Sequence, residues 1–221
     1  MTQTQTAPST EPIISQSYPE IGFTSIANKI DGNISFTQGS SYSILISAQQ
    51  FILDIINVQL HNTQLVISYT TSQVPPHLPV SITISAPELN GVSLYGSGNF
   101  TAGAAVESND LDLQQSGSGN ITLASYTGQT LEANISGNGN LTINGGSATL
   151  ETLNISGSGS MLLPTVTSEQ ATLKITGSGN IKLNVTQTLD VKITGSGSVY
   201  YSGNAVVTSK ITGTGKVHQV Q

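Results

Sequence analysis

From about residue 90 to the C-terminus, apolar and polar residues alternate with a period of two on both sides of a repeated glycine pair. The pair has the form Gly-x-Gly and recurs seven times, at steps of 18 to 21 residues. Strict alternation is typical of half-buried β-strands. Each copy therefore predicts a strand, a tight corner, a second strand and a looser return. The corner glycines are Gly96, Gly98, Gly117, Gly119, Gly137, Gly139, Gly157, Gly159, Gly177, Gly179, Gly195, Gly197, Gly213 and Gly215.

The aligned copies place apolar residues in the same columns. Four residues after the first glycine stand Phe100, Ile121, Leu141, Met161, Ile181, Val199 and Val217, and two residues before it stand Leu or Ile in six of the seven copies, with Gln115 in the other. A repeat this short cannot bury its apolar face alone, but stacked parallel coils can. The pattern predicts an all-β fold, a single-stranded parallel β-helix (solenoid) of about seven Gly-x-Gly coils. Coils spaced ~4.8 Å apart would give a rod roughly 30 Å long.

Two features of the coils follow from this stacking. A sharp corner needs positive φ, and stacked corners leave no room for a Cβ atom, so glycine is expected at both positions. The Ser or Thr before six of the seven corners is expected to bond to its counterpart on the next coil. Right-handed coiling is the default for parallel crossovers, although left-handed β-helices also use 18-residue coils.

The first 90 residues lack this regularity. We expect residues 1–17 to be a disordered lead, residues 18–90 to form an irregular β region that caps the solenoid and is continuous with it, and residues 91–221 to form the repeats. Five of the eight prolines lie in residues 18–90, chiefly in the loop Thr71–Pro79. The predicted strands of the cap are Ile21–Ile30, Asn33–Thr37, Tyr42–Ser47, Phe51–Asn57, Leu65–Tyr69 and Val80–Ser85.

Composition supports a β-rich chain. Only 8% of the 221 residues are charged, and Ser, Thr, Asn and Gly, which disfavour helix interiors, dominate. The chain has no Cys, which removes disulfides and thiolate metal sites. We expect no transmembrane segment, because no run of 18 apolar residues occurs. The polar start is typical of a spacer that follows an export signal, so we expect a signal to have been removed; a natural cytoplasmic start is the alternative.

Charge is distributed unevenly along the chain. Residues 174–221 hold five lysines and one acid (5 − 1 = +4), whereas residues 1–173 hold one lysine and eleven acids (1 − 11 = −10). Lys174, Lys192 and Lys210 share one outward column, and Tyr200 is an exposed aromatic on a late coil. We expect these four residues to bind an anionic partner, either a surface polysaccharide or the acidic end of another copy. The alternative is that the lysines protect an open solenoid end from aggregation.

Residue patterns for catalysis or metal binding are weak. His61, His77 and His218 are far apart and lack ligand spacing, so we expect exposed residues and no metal site. Asp112 and Glu132 share an outward column on adjacent coils and are the pair worth testing for sugar hydrolysis.

The acidic balance and absence of Arg argue against nucleic-acid binding. Tyr95, Tyr126 and Tyr200 are candidate exposed aromatics for stacking on sugars, with rim packing or filling of a corner as the alternative, and Tyr201 is expected to point inward. No cofactor is expected.

The chain resembles the GIN-domain family, the head domain of proposed autotransporter adhesins. The segments that carry the resemblance are FTSIANKIDGNISFTQGSSYSILI at Phe23–Ile46, PVSITISAPELNGVSLYGSGNFTAG at Pro79–Gly103, the GSGN series and GSGSVYYSGN at Gly195–Asn204. The resemblance implies a bacterial β-solenoid that is secreted or exposed on the envelope, with no settled biochemical activity. The family often has Asp after the second glycine. Here that column is mostly Asn, which argues against carrying over a cation-binding role.

Three functions remain in competition. The leading hypothesis is a non-enzymatic surface or periplasmic solenoid that binds a polysaccharide or protein, with association of copies through a solenoid end as a further expectation. The second is a polysaccharide-acting enzyme, which fold analogy alone supports. The third is an ice-binding face built from Ser/Thr ladders, although Leu162, Lys182 and Tyr200 interrupt its columns.

Overall fold

The structure is a computed structural model that describes residues 11–220. Its front part contains short strands and a single-turn helix: β1 Ile13–Tyr18, β2 Ser25–Asn28, β3 Asn33–Gln38, β4 Ser43–Gln49, α1 Gln50–Leu53, β5 Ile56–His61, β6 Gln64–Tyr69 and β7 Ser81–Ala86.

The remainder is built from strands that run around successive coils. These are β8 Gly91–Leu94, β9 Phe100–Glu107, β10 Asp110–Gly117, β11 Ile121–Thr127, β12 Thr130–Gly137, β13 Leu141–Ile143, β14 Gly146–Gly157, β15 Met161–Gly177, β16 Ile181–Gly195, β17 Val199–Ser202, β18 Val206–Gly213 and β19 Val217–Gln219.

The repeats stack as parallel coils in the predicted register. Gly117 pairs with Gly137 and Gly137 with Gly157, and the ladder continues through Gly177 and Gly195 to Gly213. The apolar columns on both sides of the corner are buried and form one continuous core. The all-β solenoid is thereby confirmed, with about six turns.

The front part joins the same stack. Strand β2 lies between β6 and β8, and β3 lies between β7 and β9, all in parallel. The segment 29–33 is therefore a corner directly beside 95–99. Sequence alignment missed this coil because its corner reads Ile-Asp-Gly-Asn and keeps only the second glycine, Gly32. The cap is completed by the antiparallel pairs β1–β4, β4–β7 and β5–β6.

Two predictions for the front part are wrong. Residues 13–17, expected within a disordered lead, belong to β1, which pairs with β4; residues 1–10 of that lead lie outside the described residues. The strand predicted at Phe51–Asn57 is instead α1 followed by β5. Ile52, Leu53 and Ile56 are all buried, and consecutive buried positions fit a helical turn but not a strand, whose side chains alternate. Of the predicted strand Ile21–Ile30, only β2 forms.

The two glycines of a corner share one steric requirement, since a Cβ atom at either Gly157 or Gly159 would collide with a backbone carbonyl oxygen of the previous corner. The first has positive φ in six of the seven copies, Gly96 being the exception, as at Gly157 with φ +137°. The second has ordinary φ, but a Cβ atom at Gly159 would collide with the carbonyl oxygen of Gly139 below it. The carbonyl of Gly137 accepts hydrogen bonds from the N–H groups of Ser158 and Gly159, both at 3.1 Å. Each corner thus rests on the backbone of the previous one.

An asparagine column runs beside the corners. The Asn99 side-chain oxygen accepts the backbone N–H and the side-chain Nδ2 of Asn120, both at 3.0 Å. Equivalent bonds extend the column from Asn33 through Asn140 and Asn180 to Ser198. Asparagine suits this column because carboxylates stacked at coil spacing would repel one another. The predicted ladder of Ser and Thr hydroxyls before the corners does not form within residues 11–220.

Two polar side chains interrupt the apolar interior. Gln115 occupies the Ile column, is 1% exposed, and has no hydrogen-bond partner for its amide within the described residues. Glu151 is fully buried in register between Leu131 and Ala171, because the 20-residue repeat carries Glu151 inward and leaves Leu150 outside.

Burial raises the pKa of the Glu151 carboxyl from its usual 4.5 to about 8. The Ser168 hydroxyl opposes this shift only weakly, because that hydroxyl donates to the Asn184 carbonyl at 3.2 Å. Neither carboxyl oxygen has a hydrogen-bond partner in residues 11–220. At neutral pH the folded protein therefore keeps Glu151 protonated.

We predict that Gly157→Ala and Gly159→Ala each destabilise the protein. Positive φ costs alanine about 1–2 kcal/mol at Gly157, and the backbone collision at Gly159 costs at least as much. In a chain of this size each kcal/mol lowers the melting temperature by about 2–4 °C. Gly103→Ala is the control, since a Cβ atom there meets nothing within 4 Å. Equal melting temperatures for all three variants would refute the corner argument.

We also predict that Glu151 makes stability fall as pH rises. Between about pH 4.5 and 8 the folded chain holds a proton at Glu151 that the unfolded chain has lost, so increasing pH favours unfolding, by about a few kcal/mol in total. Glu151→Gln removes this dependence and should be the more stable protein at pH 8. Urea unfolding across this range measures both effects.

The control for that experiment is Glu169→Gln, which makes the same substitution at an exposed strand position. It should keep the wild-type pH dependence. If Glu151→Gln and Glu169→Gln show the same slope of unfolding free energy against pH, the buried carboxyl is not its source.

Candidate functional site

The three predicted lysines form a continuous column on the outer surface. Strands β15, β16 and β18 bring Lys174, Lys192 and Lys210 into direct register on three successive coils, and all three are exposed. Parallel neighbours in a sheet are ~4.8 Å apart. No carboxylate lies within ion-pair distance of these ammonium groups in the part of the chain that the structure describes. The column is therefore a line of unneutralised positive charge.

Tyr200 does not join the lysine column. It lies on β17, after the corner that the lysine-bearing strands precede, and its register neighbours are Lys182 and His218. Its ring stacks on the His218 ring with centroids 5.3 Å apart, and it remains 37% exposed. The four predicted binding residues thus fall into two groups on opposite sides of the corner.

The other tyrosines singled out from the sequence differ in their exposure to solvent. Tyr95 is 50% exposed, as predicted, and Tyr201 lies in the inward column beside Leu183. Tyr126 is fully buried, which corrects the expectation of an exposed ring. Its hydroxyl donates to the Thr130 carbonyl at 2.7 Å, so the turn around Gly128 supplies a polar partner inside the coil.

The acid pair is placed as predicted but has few catalytic features. Asp112 and Glu132 are in register on adjacent coils. Burial raises the pKa of Asp112, the hydrogen bond from Gln114 opposes that change, and the charge of Glu132 adds to it. Each carboxylate accepts a bond from an amide two residues along its own strand, at 2.9 Å and 3.1 Å. The surrounding hollow is lined by acidic and neutral side chains, and no Lys or His side chain is among them.

Sequence reasoning missed one cluster of polar and aromatic side chains. His77 contacts Asp31 at 3.3 Å through Nε2, and the Tyr69 hydroxyl donates to Asp31 at 2.7 Å. These residues come from three separate segments, so no spacing rule brings them together. The available signal was the likeness of Asp31-Gly32-Asn33 to the Ser-Gly-Asn of the later corners.

Features of other kinds of site are sparse in the described residues. Within residues 11–220 no group of three or more His, Asp or Glu side chains is placed to hold a metal ion. No helix in that range is long and apolar enough to cross a membrane. Glu151 has a strongly raised pKa, which can mark a functional group, but its complete burial keeps it from any ligand.

Comparisons with solved structures show the same fold in several proteins. A structure described as a putative adhesin from Bacteroides fragilis superposes with a TM-score of 0.91 at 26% identity, covering 97% of this chain and 100% of that one. A putative adhesin from Parabacteroides merdae gives 0.78 at 20% identity, with coverages of 98% and 99%. A putative lipid binding protein from Parabacteroides distasonis gives 0.79 at 18% identity, also with coverages of 98% and 99%.

A comparison with curated proteins found no match. The family described as "Putative auto-transporter adhesin, head GIN domain" matches residues 22–205, which is most of the chain and includes the cap from β2 onward and six of the seven Gly-x-Gly corners. The match agrees with the glycine corners, the parallel register and the solved structures of the same fold. The chain therefore belongs to the GIN-domain family.

Proposed function

We propose that this protein is a non-enzymatic binding module, secreted or exposed on the cell envelope, that binds an anionic polysaccharide along its lysine column. The single observation that carries the proposal is the exposed, in-register column of Lys174, Lys192 and Lys210 without a carboxylate partner. The adhesin description of the family and of its structural relatives supports a binding role.

The geometry of the column suits a linear polymer. The three lysines are anchored at regular spacing on a rigid sheet, so no backbone ordering is needed when they meet a chain that carries repeated negative groups. Like charges held in register destabilise the folded protein by roughly 1 kcal/mol per neighbouring pair in water, and less in salt. A polyanion that neutralises them removes that repulsion as well as forming charge-assisted hydrogen bonds.

We predict that changing Lys174, Lys192 and Lys210 together to Gln weakens binding to heparin or lipopolysaccharide beads by at least ~tenfold, since each bond to a charged group contributes about 1.5–3 kcal/mol. Wild-type binding should also weaken with added salt. The triple variant should melt no lower than wild type, because repulsion within the column is gone.

The effect of the lysine column on binding must be distinguished from the effect of the protein's net charge. The variant Lys174→Gln/Lys192→Gln is therefore compared with Lys182→Gln/Lys216→Gln, which loses the same charge outside the column. The first should lose more affinity than the second. If the triple variant binds as well as wild type, the polysaccharide proposal fails and protection of the solenoid end explains the lysines. Sedimentation of the same variants tests association of copies through that end.

We further predict that the protein cleaves no polysaccharide. Asp112 and Glu132 lack the cation or histidine that would set one carboxyl as acid and the other as base. Incubation with neutral and acidic polysaccharides, followed by reducing-end assay, checks this. Cleavage that is abolished by Asp112→Asn and retained by Glu169→Gln would establish an enzyme instead.

A further inference from the structure

The loop between β6 and β7 is fastened onto the first corner of the solenoid. Tyr69, the last residue of β6, donates its hydroxyl to one oxygen of Asp31 at 2.7 Å. His77 faces the other oxygen of Asp31 through Nε2 at 3.3 Å, and its Nδ1 lies 2.7 Å from the Leu78 carbonyl. Both ring nitrogens of His77 thus lie beside hydrogen-bond acceptors.

Two further contacts keep this arrangement rigid. The Tyr69 and His77 rings meet edge to face with centroids 6.4 Å apart. Burial, then the hydrogen bond to Asp31 and its charge, raise the pKa of Tyr69, so its hydroxyl remains a donor to Asp31. The side-chain oxygen of Gln49 also accepts the Leu78 N–H at 2.8 Å. The loop is therefore held in place although it contains no regular secondary structure.

A cleft of about 490 Å³ opens between this loop and the next corner. Its outer wall is apolar and formed by Val74, Pro75 and Pro76, whereas Asp31, Lys29 and Ser97 provide polar groups. This volume falls within the range of about 300–1,000 Å³ typical of small-molecule sites, which combine apolar walls with a few placed polar groups. The cleft is open enough for the end of a larger ligand to enter.

Lys29 gives the cleft its charge preference. It is the one lysine in the first 173 residues, a stretch with net charge −10. The corner alignment places it beside Tyr95, and its ammonium lies 5.8 Å from the Tyr95 ring centroid. It has no carboxylate within ion-pair distance in the described residues, and the Asp31 carboxylate contacts His77 instead. The ammonium is thus positioned by an aromatic ring and free to meet an anion.

We propose that this cleft binds a single carboxylated sugar unit, such as a hexuronate. The carboxylate would meet Lys29, ring hydroxyls would bond to Asp31 and Ser97, and the apolar face of the sugar would pack on the proline wall. This site lies at the opposite end of the charge distribution from the lysine column. It does not depend on the polysaccharide binding proposed above.

The test is a titration of the full chain with glucuronate, followed by NMR of its tyrosine and histidine side chains, with glucose as the uncharged probe. Saturable shifts of the Tyr69, Tyr95 and His77 resonances are expected with glucuronate. Binding of glucose should be at least ~tenfold weaker, since it lacks the charged hydrogen bond. Lys29→Gln should weaken glucuronate binding by a similar factor, at least ~tenfold. The surface control Lys182→Gln should leave glucuronate binding unchanged.

A second variant tests the role of the loop. His77→Gln keeps Lys29 but loosens the loop from Asp31, so glucuronate should bind more weakly while the melting temperature stays near that of wild type. The triple lysine-column variant should bind glucuronate as wild type does, which separates this site from the column. Absence of saturable shifts at these residues, or equal binding by wild type and Lys29→Gln, would overturn the proposal.

Discussion

Each coil of this protein is supported by the backbone of the coil before it, and the closest contact is at the glycine corner. The carbonyl of one first glycine accepts two N–H groups from the next corner, and there is no space for a Cβ atom above the second glycine. Because the corners cannot slide past one another, the strands on both sides are fixed in register. Most inward columns then become apolar ladders, and each outward column presents side chains at coil spacing.

That repetition explains why most of the surface consists of small, uncharged polar side chains. Asn and Thr columns saturate their own bonding or face water, and the Asn column in particular uses its amides to link successive coils. A binding or catalytic site therefore needs a place where an outward column carries residues other than Asn and Thr. The lysine column of the late coils is one departure, and the first corner, where Lys29 and Asp31 replace Tyr and Ser, is the other.

The interior carries departures as well, and they weaken the fold. Gln115 and Glu151 occupy positions where the neighbouring coils have Leu, Ile or Ala, and neither finds a hydrogen-bond partner in the described residues. An unpaired buried polar group costs about 1–3 kcal/mol. Each repeat contacts only its neighbours, so the penalty stays local and the ladders above and below remain intact.

The coils from Gly96 onward follow from the sequence alone, because a two-residue alternation anchored on glycine permits one parallel register. The sequence also determined the lysine column, since Lys174, Lys192 and Lys210 differ by whole repeats. It did not determine the cap, where β1 and α1 depend on partners far along the chain. The cleft was likewise decided by tertiary structure. Tyr69 and His77 follow Asp31 by 38 and 46 residues in the sequence. Only the folding of the loop back over the first corner brings the three side chains into contact.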